Sequence, residues 1–213
     1  TAILERVREM PDQTVASAER FTHRPEGDLG PTMISLACDN HKFIVERSGV
    51  IQFDDRPEVV NHYQSMYNKP YACQVIPAVG GGETSTRRWL QSKRMPIILI
   101  EKETDGVRYL QRTFAAPFGE WPGEGGIPWY LGYLALGVSE FTIANNGEAS
   151  PVSLTLRFIA SAETGAVADV AISGGAVSVT KGGKLIARAR LDGLGPLSAE
   201  AGEGELRIAG TLE

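Results

Sequence analysis

The dipeptide Asp105-Gly106 stands between two runs of β-forming residues, 97–103 and 107–114, and this feature most limits how the chain can fold. Such a dipeptide between two strands predicts a β-hairpin, because the tight turn needs positive φ angles that glycine adopts freely. Alternate residues of the second run form two faces, namely Val107, Tyr109, Gln111 and Thr113, and Arg108, Leu110, Arg112 and Phe114. Neither face is apolar throughout, so the alternation alone leaves the buried face open.

The segments before this hairpin predict three more short strands. Residues 33–38 and 42–46 flank a turn at Asp39-Asn40-His41, and a third strand follows at 50–53. The long stretch 54–94 contains Pro57, Pro70, Pro77 and the run Gly80-Gly81-Gly82, so we expect it to be irregular.

The segments after the hairpin continue the pattern. A strand over 134–143 is expected to turn at Asn145-Asn146-Gly147 and to return as a strand over 152–159, in which alternate residues are apolar. Further strands are predicted at 177–180 and 184–188, around a turn at Lys181-Gly182-Gly183, and at 205–209.

Evenly spaced strands with turn signals predict a mainly all-β chain, folded as an antiparallel β-sandwich. At the start of the chain, Ile3, Leu4, Val7 and Met10 have helical spacing up to Pro11. We therefore expect a helical or irregular segment over 1–30 and a single large β-sandwich domain over 31–213.

Composition excludes two classes of partner. A net charge of −5, with acidic and basic residues mixed along the chain, argues against a nucleic-acid binder, which needs a basic surface. No apolar run approaches the roughly 20 residues that cross a bilayer, so no membrane partner is expected. The first residues lack the layout of a signal peptide, but a signal could have been removed, so the compartment stays open.

The usual signatures of catalysis are missing. The sequence has no Gly-x-Ser-x-Gly motif, and its glycine runs lack the Gly-Lys-Ser/Thr ending of a phosphate loop. Loop carboxylates that could form a glycosidase pair are Asp54, Asp55, Glu120 and Glu124, although solvated carboxylates are the simpler interpretation.

Cysteine and histidine residues give one weak metal pattern. Cys38, His41, His62 and Cys73 could supply four zinc ligands, and the two cysteines could form a disulfide. Because Cys38 and His41 span a predicted tight turn, buried thiols are the preferred interpretation. We expect no catalytic residue, no metal and no cofactor in this chain.

A loop rich in glycine, proline and aromatic residues follows the hairpin. Its candidate carbohydrate-binding residues are Trp121, Trp129, Tyr130, Glu120 and Glu124. Sugars have apolar C–H faces and polar edges, so flat aromatic rings beside carboxylates could hold one. The simpler interpretation is that the tryptophans plug the end of the sandwich or pack on a neighbouring domain.

Two segments carry a family resemblance. The sequences DGVRYLQRTFAAP and YLALGVSEFTIANNGEASPVSLTLRF resemble the N-terminal β-super-sandwich domain of glycoside hydrolases and phosphorylases that have an (α/α)6 barrel, such as cellobiose phosphorylase. The resemblance implies a super-sandwich-like fold that packs on a helical catalytic domain and sends a loop toward its active site. In that family the general acid and base lie in the barrel, so no catalytic residue carries over.

The leading hypothesis is therefore a non-catalytic accessory domain of a multidomain carbohydrate-active enzyme. Its expected partners are a helical catalytic domain and an oligo- or polysaccharide, and it predicts a sizeable exposed apolar patch. The alternatives are a freestanding carbohydrate-binding or lectin-like module, and a structural or adhesion domain with a protein partner.

Overall fold

The computed structural model describes residues 31–36, 42–53, 73–81, 84–92, 95–118, 134–145 and 149–212, together with Glu5 and Thr14. The predicted helical segment over 1–30 and the predicted turn at 39–41 thus lie outside the described residues, apart from Glu5 and Thr14.

The described residues form fifteen strands. In chain order they are β1 (Thr32–Ile34), β2 (Phe43–Val45), β3 (Ile51–Phe53), β4 (Cys73–Val79), β5 (Ser85–Leu90), β6 (Ile98–Thr104), β7 (Val107–Phe118), β8 (Leu134–Asn145), β9 (Ser150–Ser161), β10 (Ala166–Val167), β11 (Asp169–Ser173), β12 (Ala176–Lys181), β13 (Lys184–Arg190), β14 (Ser198–Gly202) and β15 (Glu205–Leu212).

These strands make three antiparallel sheets. Sheet A has the order β1-β2-β3-β4-β9-β15-β14, and β10 pairs with the C-terminal end of β9. Sheet B has the order β5-β6-β7-β8, and sheet C has the order β11-β12-β13. The prediction of an all-β, antiparallel, sandwich-like fold is confirmed.

The locally encoded turns are confirmed as well. Asp105 and Gly106 have φ angles of 51° and 76° and join β6 to β7. Gly182 and Gly183, with φ angles of 55° and 78°, join β12 to β13 in the same way. The predicted strands at 33–38, 42–46 and 50–53 contain β1, β2 and β3, which pair in that order.

The expectation that residues 54–94 are irregular is wrong for β4 and β5. Pro77 argued against a strand, yet it pairs with Leu156 inside sheet A. The ladder between β3 and β4 ends at Ile51 and Val75, so Pro77 has no strand partner on that side. In an antiparallel strand the N–H and C=O of one residue point to the same side. The Pro77 carbonyl oxygen accepts a hydrogen bond from Lys102 Nζ at 3.2 Å and not from β9, so the missing N–H breaks no ladder bond there.

The expected return from β8 into β9 is also wrong. β8 pairs with β7 in sheet B, whereas β9 lies between β4 and β15 in sheet A. Both strands carry alternating apolar residues, and each apolar face needs a facing layer. β8 ends at Asn145 in sheet B, and β9 begins at Ser150 in sheet A.

The core lies between sheet A and the two smaller sheets. Alternate residues of β9 from Val152 to Ala160 are buried, and they belong to one hydrophobic cluster with residues of β7 in sheet B and β12 in sheet C. The buried members of this cluster are Val107, Tyr109, Val152, Leu154, Leu156, Phe158, Ala160, Ala168, Val177, Val179, Leu206 and Ile208. One face of β9 is therefore covered by both smaller sheets.

A second cluster joins the other half of sheet A to sheet B. Ile34 of β1 and Val45 of β2 pack with Ile98 and Ile100 of β6, and all four are almost fully buried. These contacts leave the opposite face of sheet B directed away from sheet A.

Candidate functional site

The predicted carbohydrate-binding residues lie in the connection between β7 and β8. Glu120, Trp121, Glu124, Trp129 and Tyr130 are outside the described residues, so their role stays a prediction. The strands on either side are described, and the last ladder pair joins positions 118 and 134. The connection therefore leaves sheet B at one end of the β7–β8 hairpin.

The two strands that flank this connection, β7 and β8, contribute to the outer face of sheet B. This face consists of the side chains that alternate with the buried ones: Arg87 and Trp89 on β5, Leu99, Glu101 and Glu103 on β6, Arg108, Leu110, Arg112 and Phe114 on β7, and Leu136, Val138 and Glu140 on β8. The opposite residues of β7, from Val107 to Thr113, are buried. This settles which face of the hairpin points inward.

Two arginine–aromatic stacks lie on the outer face of sheet B. The guanidinium of Arg87 lies 4.9 Å from the centroid of the Trp89 ring, and that of Arg112 lies 4.7 Å from the centroid of Phe114. Both distances are within cation–π range. One face of each ring is therefore already occupied by a cation.

Arg112 is held in place by further partners. Its Nη1 atom lies 2.7 Å from Glu140 Oε2 on the neighbouring strand, and its Nε atom donates to Gln91 Oε1 at 3.0 Å. A side chain with two polar partners and a stacked ring has lost much of its rotamer freedom. The surface around Phe114 is thus pre-ordered.

Apolar side chains complete the outer face of sheet B. Leu99, Leu110 and Val138 are half-buried, and Leu136 is 41% exposed. Together with the two aromatic rings they make a mixed apolar, aromatic and charged surface.

The outer face of sheet A is different in character. Its central strands present Ser153, Thr155 and Arg157 on β9, and Glu205 and Arg207 on β15. Arg207 and Glu205 form an exposed ion pair at 2.7 Å. Both outer faces carry ion pairs, but the two arginine–aromatic stacks lie on sheet B, whereas the centre of sheet A presents mainly hydroxyl and charged side chains, so the two outer faces are not equivalent.

The interior of the sandwich holds a buried polar network. Gln111 Nε2 donates to the Gly49 carbonyl oxygen at 3.0 Å and lies 3.2 Å from Thr113 Oγ1 and 3.3 Å from Ser139 Oγ. Arg88, which is 2% exposed, donates to the Val45 carbonyl oxygen at 3.1 Å. These bonds tie sheet B to the β2–β3 region of sheet A.

Lys102 also points into this interior. Its amine donates to the Pro77 carbonyl oxygen, and burial lowers the pKa of Lys102 below its ordinary value. Lys102 and Gln111 line a cavity of about 10 Å³, which is about the room that one water molecule occupies. Ligand pockets are typically about 300 Å³ or larger, so this cavity cannot hold a substrate.

The described residues contain no group of three or more histidine, cysteine, aspartate or glutamate side chains placed to hold a metal ion. Cys73 is buried and its thiol donates to the Ala160 carbonyl oxygen at 3.6 Å. Its suggested partners Cys38, His41 and His62 are outside the described residues, as are Asp54 and Asp55, so neither the zinc pattern nor the carboxyl pair is tested.

Within the described part of the chain, no helix has the length and hydrophobicity needed to span a membrane. The chain matches no protein-family model, no curated protein and no solved structure. The resemblance to the super-sandwich domains therefore stays a prediction.

Sequence reasoning overlooked part of the outer face of sheet B. Trp89 was missed because it lies in a stretch interpreted as irregular. The sequence did contain a strand signal. In the run from Ser85 to Leu90, Arg87 and Trp89 alternate with Arg88, which places Arg87 and Trp89 on one face of a strand.

Proposed function

We propose that this chain is a non-catalytic accessory β-sandwich domain of a multidomain carbohydrate-active enzyme, and that it docks on the helical catalytic domain through the outer face of sheet B. The main support is the difference between the two outer faces. Both faces carry ion pairs, but sheet B also presents two aromatic rings together with Leu99, Leu110, Leu136 and Val138, whereas the centre of sheet A presents mainly hydroxyl and charged side chains. A surface that combines aromatic, arginine and apolar side chains is expected where a neighbouring domain covers a sheet.

The position of the aromatic loop supports the same assignment. The loop that carries Trp121 and Trp129 begins after β7 and ends before β8, and both strands belong to sheet B. The resembling segments, 105–117 and 133–158, include most of these two strands and most of β9. In the proposed arrangement, one neighbouring domain contacts both the outer face of sheet B and this loop.

The arginine–aromatic stacks favour a protein over a sugar as the occupant of the outer face. A sugar ring would need a bare aromatic face, and the guanidinium groups of Arg87 and Arg112 already cover one face of Trp89 and Phe114. Aromatic residues and arginine are both enriched at the centres of protein–protein interfaces. In the proposal, sugar contacts are left to the loop.

Site-specific photo-crosslinking tests the docking. A benzoylphenylalanine is placed at Leu110, in the middle of the outer face of sheet B, and in a matched variant at Thr155, on the outer face of sheet A. The complete natural polypeptide is irradiated and the crosslinked peptides are mapped by mass spectrometry. We expect crosslinks from position 110 to a helical region of the same polypeptide and none from position 155. Crosslinks only to separate proteins, or equal crosslinking from both positions, would refute the proposal.

Glycan titration separates the accessory domain from a freestanding carbohydrate-binding module. The isolated chain is titrated with cello-, xylo- and malto-oligosaccharides while tryptophan fluorescence is followed. The accessory domain is expected to give no saturable response. Saturable binding that disappears in Trp121→Ala or Trp129→Ala would favour the freestanding module instead.

A further inference from the structure

Six strands lie at the ends of the three sheets as far as the structure describes them, and five of them have features that oppose further pairing. β1 is short, with 3 residues, and β11 and β14 have 5 each. β5 carries Arg87 and the inward-pointing Arg88, and β13 carries Lys184, Arg188 and Arg190. Short length and positive charge are the usual protection of edge strands against added strands.

β8 is the exception. It has 12 residues, no proline, and Glu140 as its single charged residue. All twelve residues pair with β7 in one continuous register, without a bulge. In an antiparallel strand, alternate residues direct their N–H and C=O groups to opposite sides. About five of the residues 134–144 therefore present main-chain donors and acceptors along an edge roughly 35 Å long.

No strand of the described residues pairs with this second edge. A long, regular and nearly uncharged edge is a template for another extended chain. The main-chain groups along the edge can pair only with the main chain of another extended segment, so the binding partner has to be a strand.

The side chains of β8 indicate what such a strand should carry. On the inner side Phe141 and Ile143 pack against the main hydrophobic cluster, so the incoming strand should place apolar side chains at alternate positions. On the outer side Leu136 and Val138 precede Glu140, whose side chain is 52% exposed although it pairs with Arg112. A lysine or arginine of the incoming strand would complement this carboxylate.

The same carboxylate argues against a second copy of β8 as the occupant. Glu140 lies at the middle of β8, so two copies paired antiparallel through their centres would bring two carboxylates together. Like charges on adjacent strands oppose pairing.

We infer that the second edge of β8 along residues 134–144, which pairs with no strand of the described part of the chain, binds an extended peptide of another protein by strand addition, with alternate apolar side chains and one basic residue beside Glu140. The site uses the main-chain groups of an edge and shares only Leu136, Val138 and Glu140 with the outer face of sheet B, and the inference does not depend on the proposed accessory role.

The test uses a labelled peptide of alternating threonine and valine with one central lysine, and a matched peptide with glutamate in place of the lysine. Binding to the whole chain is followed by fluorescence anisotropy, and the contact is mapped by hydrogen exchange of the backbone amides. We expect saturable binding of the lysine peptide at concentrations up to about 1 mM, with new amide protection confined to 134–144.

Charge reversal gives the specific control. Glu140→Lys should lower the affinity for the lysine peptide about fivefold or more and raise the affinity for the glutamate peptide. Glu103→Lys makes the same change on β6, two strands away from the edge, and should leave both affinities unchanged. No saturable binding, protection outside β7 and β8, or a stable dimer formed through β8 in sedimentation experiments would overturn the inference.

Discussion

At the scale of single residues, the unusual feature is how much polarity the interior of the sandwich holds. Gln111, Thr113 and Arg88 are buried, and Lys102 is partly buried with one main-chain acceptor for its amine. The sequence could not show that the face of β7 containing Gln111 is the buried one. The partners that make its burial tolerable, Gly49 and Ser139, come from distant segments.

The amine of Lys102 should make stability depend on pH. The pKa of Lys102 in the folded state lies below 10.5, its ordinary value in the unfolded chain. Between these two pKa values the unfolded chain binds more protons than the folded one, so stability rises with pH. Lys102→Met removes this contribution. We expect the unfolding free energy of the wild type relative to this variant to increase with pH as the pH approaches 10.5 from below, measured by urea denaturation. Parallel curves for Lys102→Met and the wild type would contradict the prediction.

Gln111 should be important for stability because it has three polar neighbours in the interior. Gln111→Ala leaves the Gly49 carbonyl oxygen without this donor and creates a cavity, so we expect a loss of about 2–3 kcal/mol. Gln91→Ala is the matched control, since Gln91 is exposed, and should cost less than about 0.5 kcal/mol. Denaturant unfolding of both variants makes the comparison, and equal losses would show that the buried network adds nothing.

At the scale of elements, local turn signals predicted pairings and long-range connections did not follow from them. The β6–β7 and β12–β13 hairpins were predictable because Asp105-Gly106 and Gly182-Gly183 determine the turn by themselves. The separation of β8 from β9 was not predictable, since it depends on which distant strands offer a better neighbour. β9 is paired by β4 and β15, which come from either side of it in the sequence.

The contact between β2 and β8 gives a test of packing between the sheets. The ring of Phe43 lies against Gly137, where an added Cβ atom would come within 2.6 Å of Phe43 Cδ1. Gly137→Ala should therefore cost about 1–3 kcal/mol. Combined with Phe43→Leu, the loss should be smaller than the sum of the two single losses by at least about 0.5 kcal/mol. Thermal unfolding of the four proteins in this cycle makes the measurement, and strict additivity would mean that the two residues do not touch.

At the scale of the whole molecule, the shared core should make sheets B and C unfold together. Val107 in sheet B and Val179 in sheet C are fully buried in one cluster with residues of β9. We expect Val107→Ala and Val179→Ala each to cost about 2 kcal/mol and to shift one common transition in calorimetry. Two transitions, each moved by only one of the variants, would indicate separate folding units.

The candidate site could be predicted only in part at this scale. The sequence showed that Arg108, Leu110, Arg112 and Phe114 share a face of β7. That this face is the outer one, and that Trp89 and Glu140 extend it on neighbouring strands, follows from the pairing of four strands. Propensity and spacing do not specify such sheet-wide neighbours.

The split of β8 and β9 between two sheets also bears on how the chain reaches its native state. β6, β7 and β8 follow one another along the chain, as do β11, β12 and β13, so each set can assemble from near neighbours within its own segment. Sheet A, by contrast, joins β4 to β9 around the intervening strands of sheet B. Closing such a loop costs conformational entropy before the native contacts that offset this cost have formed. In stopped-flow refolding, we expect amides of β6–β7 and β12–β13 to gain protection before those shared by β4 and β9, with completion in about milliseconds to seconds.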